Sequence, residues 1–341
     1  MKNYLLLTVL VFLGIRALAQ IPGDFSFRQT YKISEPAEMS ISTNDGFIYA
    51  FGKNSNEIEV YFIVKKDNRV VDIDLDELEE HVNIDISSSS GNLEIIIKQK
   101  ETSWIKNWKD RYYVSLHILA PTRTECLLKT SDGDIEMIGF KGNQQCKTSD
   151  GDILAEDIEG DLYALTSDGD IDISNVEGSV ESITSHGAIK ALNIKVASSF
   201  RTSDGKVFAS DLHGNTHATT SDGNIILENA MGEHTVRTSD GNIIFEKMQG
   251  SLTAQTSDGD IRGDLNSVTN KLYLKTSDGN ISVSVPNGLG MNVRLKGEDI
   301  HTKLEDFSGD TSDHLIEGTI RGGGVKVELI TSDGDINLNY N

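Results

Sequence analysis

The sequence contains little cysteine, little proline and few aromatic residues. Two cysteines in 341 residues are too few for a disulfide scaffold. Four prolines beside 31 glycines indicate that the chain makes its tight turns with glycine. Aromatic residues make up 6% and apolar residues 37%, which is low for a thick globular core but excludes wholesale disorder. The composition therefore favours a thin, folded chain with many glycine turns.

Positive charge is also scarce. The chain has 31 Lys and Arg against 53 Asp and Glu, so its formal charge is −22. A polyanion is repelled by nucleic acid and by anionic membrane surfaces, so neither is an expected partner. The charge balance fits a protein that meets cations or neutral polymers.

No apolar run beyond the N-terminus is long enough to span a membrane. At the N-terminus, Lys2 precedes an apolar run over 5–15, and Ala17 to Ala19 has the small-x-small form of a cleavage site. This arrangement predicts a secretory signal peptide over 1–19 that is cut before Gln20. We therefore expect secretion across the inner membrane to the periplasm or cell surface, with no membrane insertion after cleavage.

A short motif repeats along most of the chain. The tetrapeptide Thr-Ser-Asp-Gly, or its one variant Thr-Ser-His-Gly at Thr184, recurs in seven successive steps of 18 residues and then at wider spacing. Its copies begin at Thr130, Thr148, Thr166, Thr184, Thr202, Thr220, Thr238, Thr256, Thr276 and Thr331. Such regular spacing indicates a repeat architecture.

We number each unit from its Thr as coil position 0. Position 3 is always Gly and position 5 is Ile or Val, while positions 7, 10, 14 and 16 are mostly small or apolar. Apolar residues occupy every second position, and this pattern shifts by one residue at Ser-Asp-Gly and again near positions 8–9. Such a shift is expected where the chain turns a corner between two strands. Each unit therefore predicts one coil of two strands, which buries its apolar side only by stacking on its neighbours. The predicted fold is an all-β, right-handed parallel β-solenoid, the hand being the default for parallel crossovers.

The regular repeat divides the mature chain into three parts. Residues 20–129 form an irregular β region with degenerate coils, in which Thr43–Ala50 and Ser88–Ile95 match the start of a unit. Residues 130–293 form the regular solenoid, and residues 294–341 form C-terminal capping strands, since terminal units must close open strand edges.

Several segments together resemble a known family. They are the signal peptide, the stretch Ser115–Pro121, the Thr-Ser-Asp-Gly-Asp-Ile coils, and the end Gly322–Leu329 followed by Thr331–Ile336. This combination resembles the bacterial β-strand-repeat "putative adhesin" proteins, a domain of unknown function. The resemblance implies the fold and export, and it carries over no catalytic residue.

The Asp at position 2 forms a predicted ladder on the first corner. Stacked carboxylates repel each other, and a Ca²⁺ ion would relieve that repulsion. The alternative, which we favour, is that Asp before Gly caps the turn by accepting backbone N–H groups. The residues concerned are Asp132, Asp150, Asp168, Asp204, Asp222, Asp240 and Asp258.

Other chemistry-bearing residues do not converge in the repeat. The Thr at position 0 is in register with inward positions, which predicts a buried hydrogen-bonded ladder rather than a row of nucleophiles. The most divergent coil, 184–201, spreads its charged residues around the coil, and the histidines share no face, so neither a metal site nor a catalytic triad is indicated. Trp104 and Trp108 are expected to be core anchors or part of a capping loop rather than sugar-stacking residues. We predict no enzyme activity and no cofactor.

The two cysteines are predicted to stay unpaired. Cys126 and Cys146 lie one coil and two residues apart, which places their Cα atoms about 8 Å from each other. A disulfide needs about 4.4–6.8 Å. Two buried free thiols are expected.

Position 6 points to solvent and is polar in most coils, but three consecutive coils carry Phe208, Ile226 and Ile244 there. A contiguous exposed apolar row is typical of a contact surface. The alternatives are that residues 294–330 or 101–111 cover the row, or that it is simply tolerated.

These observations predict an exported, monomeric, adhesin-like or scaffold protein that binds a surface protein or glycan. Two alternatives remain open: a calcium-stabilised surface module, and a carbohydrate-active β-helix that acts as a lyase or hydrolase.

Overall fold

The computed structural model describes residues 21–100 and 111–341. The predicted signal peptide and both tryptophans lie outside the described residues. Within them, one short helix, α1 (Leu75–His81), accompanies 30 β-strands. No helix in this part of the chain has the length and apolar character needed to cross a membrane.

The N-terminal part contains strands of both orientations. Its strands are β1 (Phe27–Lys32), β2 (Ala37–Ser42), β3 (Ile48–Lys53), β4 (Glu57–Lys66), β5 (Arg69–Val70), β6 (Val82–Ser88), β7 (Asn92–Gln99) and β8 (Tyr113–Pro121).

The central part is built from parallel strands on two faces. The first face contains positions 5–10 of each coil, in β10 (Ile135–Ile138), β12 (Ile153–Ile158), β14 (Ile171–Val176), β16 (Ile189–Ile194), β18 (Val207–Leu212) and β20 (Ile225–Glu228). The second face contains positions 12–17, in β9 (Thr124–Lys129), β11 (Gln144–Lys147), β13 (Leu162–Leu165), β15 (Val180–Ile183), β17 (Ser198–Arg201), β19 (Thr216–Thr219) and β21 (Met231–Arg237). Two long strands continue from one face to the other, β22 (Ile243–Gln255) and β23 (Ile261–Lys275).

The C-terminal part closes the stack with shorter elements. Its strands are β24 (Ile281–Val285), β25 (Met291–Lys296), β26 (Ile300–Thr302), β27 (Phe307–Ser312), β28 (Leu315–Ile320), β29 (Val325–Ile330) and β30 (Ile336–Tyr340).

Parallel pairing brings equal coil positions together, as the repeat predicts. Ile135 pairs with Ile153, and Ile153 pairs with Ile171, so each inward Ile packs on its own copy one coil away. These side chains are at most 1% exposed, and the inward residues of both faces form one continuous core. The architecture is therefore an all-β, mainly parallel solenoid whose core is a set of ladders.

The Thr at position 0 is buried and hydrogen-bonded, which confirms the predicted ladder. In the coil of Thr220, its Oγ1 lies 3.0 Å from the carbonyl oxygens of Ser203 and Gly205 and accepts the N–H of Gly223 at 3.2 Å. Each Thr thus links its own corner to the corner of the preceding coil.

Glycine at position 3 is required by the close approach of successive corners. A Cβ placed on Gly223 would lie 1.9 Å from the carbonyl oxygen of Gly205, and the regular coils repeat this distance within a few tenths of an ångström. No side chain fits there without separating the coils.

The second corner is made by a left-handed residue at position 9. Asp157, Asn175, Asn193, Asp211 and Asn229 all have φ between 51° and 58°. Asn and Asp tolerate this conformation better than other residues with a Cβ. The Asn175 amide donates to the Asp157 carboxylate at 2.9 Å, so the corner also forms a side-chain ladder.

The first repeat unit of the chain lies between strands that come later in the sequence, and the last unit lies between strands that come earlier. Each of these two units therefore sits one coil inside the end of the stack. Strand β2 pairs with both β7 and β9, and β3 pairs with both β8 and β10. At the other end, β29 lies between β23 and β25, and β30 lies between β24 and β26. Antiparallel strands then pair with the outermost strands β7, β8 and β25, whereas β26 pairs only with β30 among the described strands.

One of the two degenerate coils predicted in 20–129 is confirmed and the other is wrong. Ile48, five residues after Thr43, pairs with Ile135 at position 5 of the first regular coil. By contrast, Asn92 pairs with Glu38 on the second face, and the preceding residues form the turn of the antiparallel β6–β7 hairpin. A hairpin and a corner share the same local pattern of a polar turn before an alternating strand.

A histidine occupies an inward position in the core. His234 at position 14 pairs with Thr216 on one side and Leu252 on the other, and it is 2% exposed. Neither ring nitrogen has a hydrogen-bond partner in the described structure. Burial lowers the pKa of His234 to about 4, so the ring is neutral at pH 7.

We predict that Gly223→Ala destabilises the protein by about 1–3 kcal/mol or more, because the new methyl group forces the corners apart. Gly91→Ala is the matched control, since its added Cβ would meet its nearest atom at 3.9 Å. The free energy of unfolding in urea measures both variants. Equal stability of the two would contradict the close-approach argument.

We predict that His234 makes the protein acid-sensitive. Its pKa is about 4 when folded and about 6.5 when unfolded. The unfolded state therefore takes up the proton first, and stability falls as the pH drops from 6.5 to 4. Relative to His234→Leu, the natural protein should lose about 3 kcal/mol across this window. Parallel pH profiles of both proteins would refute this idea.

Candidate interaction surfaces

The position-2 aspartates form an exposed row along the first corner. Their side chains are exposed at Asp132, Asp150, Asp168, Asp204, Asp222, Asp240 and Asp258. His186 lies within this row and contacts the carboxylates of Asp168 and Asp204. In the described parts of the chain, no group of three or more His, Cys, Asp or Glu side chains is arranged to hold a metal ion.

Capping of the corner is carried out by position 4 rather than by position 2. The Asp134 carboxylate accepts the backbone N–H of Asp152 at 2.9 Å, and Asp152 accepts that of Asp170 at 2.7 Å. Asn242 does the same for Asp260 at 2.8 Å. The prediction that the Asp before Gly caps the turn is therefore wrong, because the capping residue is at position 4 and not at position 2. The bond runs to the next coil because stacking places each N–H beside the preceding carboxylate.

The cysteines are two buried free thiols, as predicted. Cys126 pairs with Gln144 and Cys146 pairs with Leu128, so the thiols are diagonal neighbours. Burial raises the pKa of Cys146 to about 12 and that of Cys126 well above its usual range. Neither is a candidate nucleophile, because both stay protonated at neutral pH.

The charged residues of coil 184–201 do not come together. His186 lies on the first corner, Lys190 lies on the first face 3.9 Å from Asp172, and Arg201 lies on the second face. Two other histidines of the repeat are equally scattered, with His217 outward and His234 inward. His186 and Lys190 each lie beside a carboxylate, but at separate places on the coil, so the described residues do not converge on one site.

The predicted apolar row is in direct register on the first face. Phe208 pairs with Ile226, and Ile226 pairs with Ile244, and all three side chains are half-buried. We call these three residues the apolar strip. Lys190 precedes it and Arg262 follows it along the same row, and both are exposed.

The surroundings of the apolar strip are partly desolvated. Glu228 lies at the adjacent outward position, where burial and the nearby Glu246 raise the pKa of its carboxyl. The segment 294–330 does not cover the strip, because its strands belong to the C-terminal end of the stack, beyond β23 and β24. The other proposed cover, 101–111, lies almost wholly outside the described residues.

A long groove, which the sequence analysis missed, crosses the second face. Two adjoining depressions of about 640 and 430 Å³ share Asn143 and Gln145 and together cross β7, β2, β9, β11, β13, β15 and β17. The depth arises where outward positions carry small side chains, at Ser179, Ala197 and Ser199. Small outward residues in successive coils are the sequence signal that would have revealed it.

The lining of this groove is polar and acidic. It contains Tyr163 near its middle, exposed amides, and five carboxylates, and none of its described lining residues is basic. The carboxylates belong to Glu38, Glu94, Glu125, Asp161 and Glu181.

Comparison with known proteins gives a family match and distant structural similarity. The family model described as Toastrack DUF4097 matches residues 37–339. A "putative adhesin" structure from Bacteroides fragilis is 14% identical, with 75% of this chain and 96% of that chain covered and a TM-score of 0.36. A "putative adhesin" from Parabacteroides merdae is 17% identical, with coverages of 75% and 95% and a TM-score of 0.31. A "putative lipid binding protein" from Parabacteroides distasonis is 15% identical, with coverages of 92% and 96% and a TM-score of 0.29. No curated protein matches the chain.

We predict that the position-2 row does not bind calcium specifically. Millimolar Ca²⁺ and millimolar Mg²⁺ should raise the melting temperature equally, because both only screen the repulsion between carboxylates. Differential scanning fluorimetry measures the shift, with Asp222→Asn as the variant that removes one carboxylate from the row. A large shift with Ca²⁺ alone, reduced in Asp222→Asn, would instead support the calcium-stabilised module.

Proposed function

The chain belongs to the Toastrack DUF4097 family, and on that premise we propose that it is an exported, non-catalytic binding scaffold. The family match confirms the resemblance inferred from the repeat. The proposal includes the right-handed winding, the monomeric state, and secretion to the periplasm or cell surface.

The observation that carries the proposal is the register of the apolar strip. Because each coil repeats the position of the last, Phe208, Ile226 and Ile244 lie in one row on the first face. The row has apolar residues at its centre and charged residues at both ends. An apolar centre with a polar rim is the usual anatomy of a protein contact surface.

Export is supported by the sequence of residues 1–19, whose basic start, apolar run and small-x-small end are those of a signal peptide. Fractionation of the producing cells, together with proteinase treatment of intact cells, tests the location. Recovery of the protein from the cytoplasm with residues 1–19 still attached would reject export.

We predict that Ile226→Glu abolishes binding of the purified protein to the isolated cell-envelope fraction while the protein remains folded. Ser282→Glu is the matched control, because Ser282 occupies the same outward row three coils further on and is already exposed. Cosedimentation measures binding, and thermal unfolding measures stability.

Two outcomes would count against the apolar strip as a binding surface. A loss of a few kcal/mol of stability in Ile226→Glu alone would mean that another segment covers the strip, because the new charge would be buried without a partner. Unchanged stability with unchanged envelope binding would leave the strip without a role.

A further inference from the structure

The second-face groove has the shape of a site for an extended polymer. It crosses seven strands at right angles to them, which makes it roughly 29 Å long at about 4.8 Å per strand. Each of its two depressions falls within the range of ligand pockets. A channel that crosses the strands in this way fits a chain that runs along the solenoid axis.

The polar groups of the groove are free to serve a ligand. Asn143, Gln145 and Glu181 are exposed and make no side-chain hydrogen bond within the described structure. Below them, the buried Gln144 is fixed by bonds from its amide to the carbonyls of Thr124 and Gly142, at 3.0 and 3.2 Å. Hydrogen bonds therefore hold Gln144 in the floor, while the walls offer both unused donors and unused acceptors.

The charge of the groove selects against anionic polymers. Five carboxylates line it and no described lining residue is basic. Uronate, sulfate or phosphate groups would be repelled along most of the length, the exception being near Tyr163, where the Lys147 ammonium lies 5.1 Å from the ring centroid. Hydroxyl groups would be favoured instead, because a carboxylate accepts strong hydrogen bonds from O–H donors.

A peptide fits the groove less well than a glycan does. The strands under the groove are paired on both sides, so no strand edge is free to add a peptide by main-chain bonds. The lining offers amides, hydroxyls and carboxylates rather than apolar pockets for alternate side chains. The half-buried ring of Tyr163 adds one aromatic surface of the size of a sugar ring in the middle, where the Lys147 ammonium lies 5.1 Å from the ring centroid.

We propose that the groove on the second face binds an extended glycan without anionic groups, laid along the solenoid axis across Gln145, Tyr163 and Glu181. This inference deepens the proposed function and rests on it, since it names the ligand class of a second surface on the same scaffold. The contacts it uses are separate from the apolar strip on the first face.

Titration calorimetry of the purified protein tests the proposal with a neutral hexasaccharide of N-acetylglucosamine and a neutral hexasaccharide of glucose. Hexagalacturonate is the anionic comparison, and a basic Lys-Ser decapeptide is the peptide comparison. We expect at least one neutral hexasaccharide to bind, and hexagalacturonate not to bind.

Variants then locate the binding. Tyr163→Ala and Gln145→Ala should each weaken the neutral sugar at least tenfold. Tyr273→Ala is the matched control, because Tyr273 occupies the same outward coil position, is also half-buried, and lies outside the groove. Thermal unfolding checks that each variant is folded. If Tyr163→Ala does not fold, Gln145→Ala still tests the proposal.

Four results would overturn the inference: no binding of either neutral hexasaccharide, equal loss in Tyr273→Ala, tighter binding of hexagalacturonate, or a Gln145-dependent site that takes only the peptide. A different set of results would reject the groove as a binding site and leave the proposed function intact. In that case no sugar would bind, and binding to the cell envelope would be lost in Ile226→Glu but unchanged in Gln145→Ala.

Discussion

The close stacking of one corner on the next is the constraint on which the rest of the structure depends. Gly at position 3 allows the backbones to approach, and Thr at position 0 joins each corner to the one before it. Once the corners are fixed at strand spacing, every other position must tolerate its own copy as a neighbour. Inward positions therefore become apolar ladders, and outward positions become straight rows whose chemistry is set residue by residue.

This division separates stability from function. A residue at an inward position packs against the coils on both sides. The ring of His234, which has no hydrogen-bond partner in the described structure, lies in this way between Thr216 and Leu252. An outward position on either face is less constrained by core packing, which is how Phe208 and Ile226 can follow Lys190 in one row. Both candidate surfaces lie on such outward rows.

The repeat made the central coils predictable, because its spacing and its parity changes are local properties of the chain. The buried Thr ladder, the second corner and the register of the apolar strip all followed from it. The ends were not predictable in the same way. Ser88 to Gly91 has the local pattern of a corner but turns a hairpin, since the partner of Asn92 is Glu38, distant in sequence. The groove was missed because its depth depends on Ser179 and Ala197 being small beside larger neighbours on adjacent strands.

The central claim is that binding takes place on outward rows of the solenoid and not at its ends. Hydroxyl-radical footprinting of the protein, free and bound to the isolated cell envelope, tests this claim most directly. The account predicts that binding protects Tyr163 on the second face or Phe208 and Ile226 on the first face, while the strands that cover the two ends are oxidised equally in both states. Protection confined to β1 and β6 or to β27 and β28, with the rows oxidised equally in both states, would contradict it.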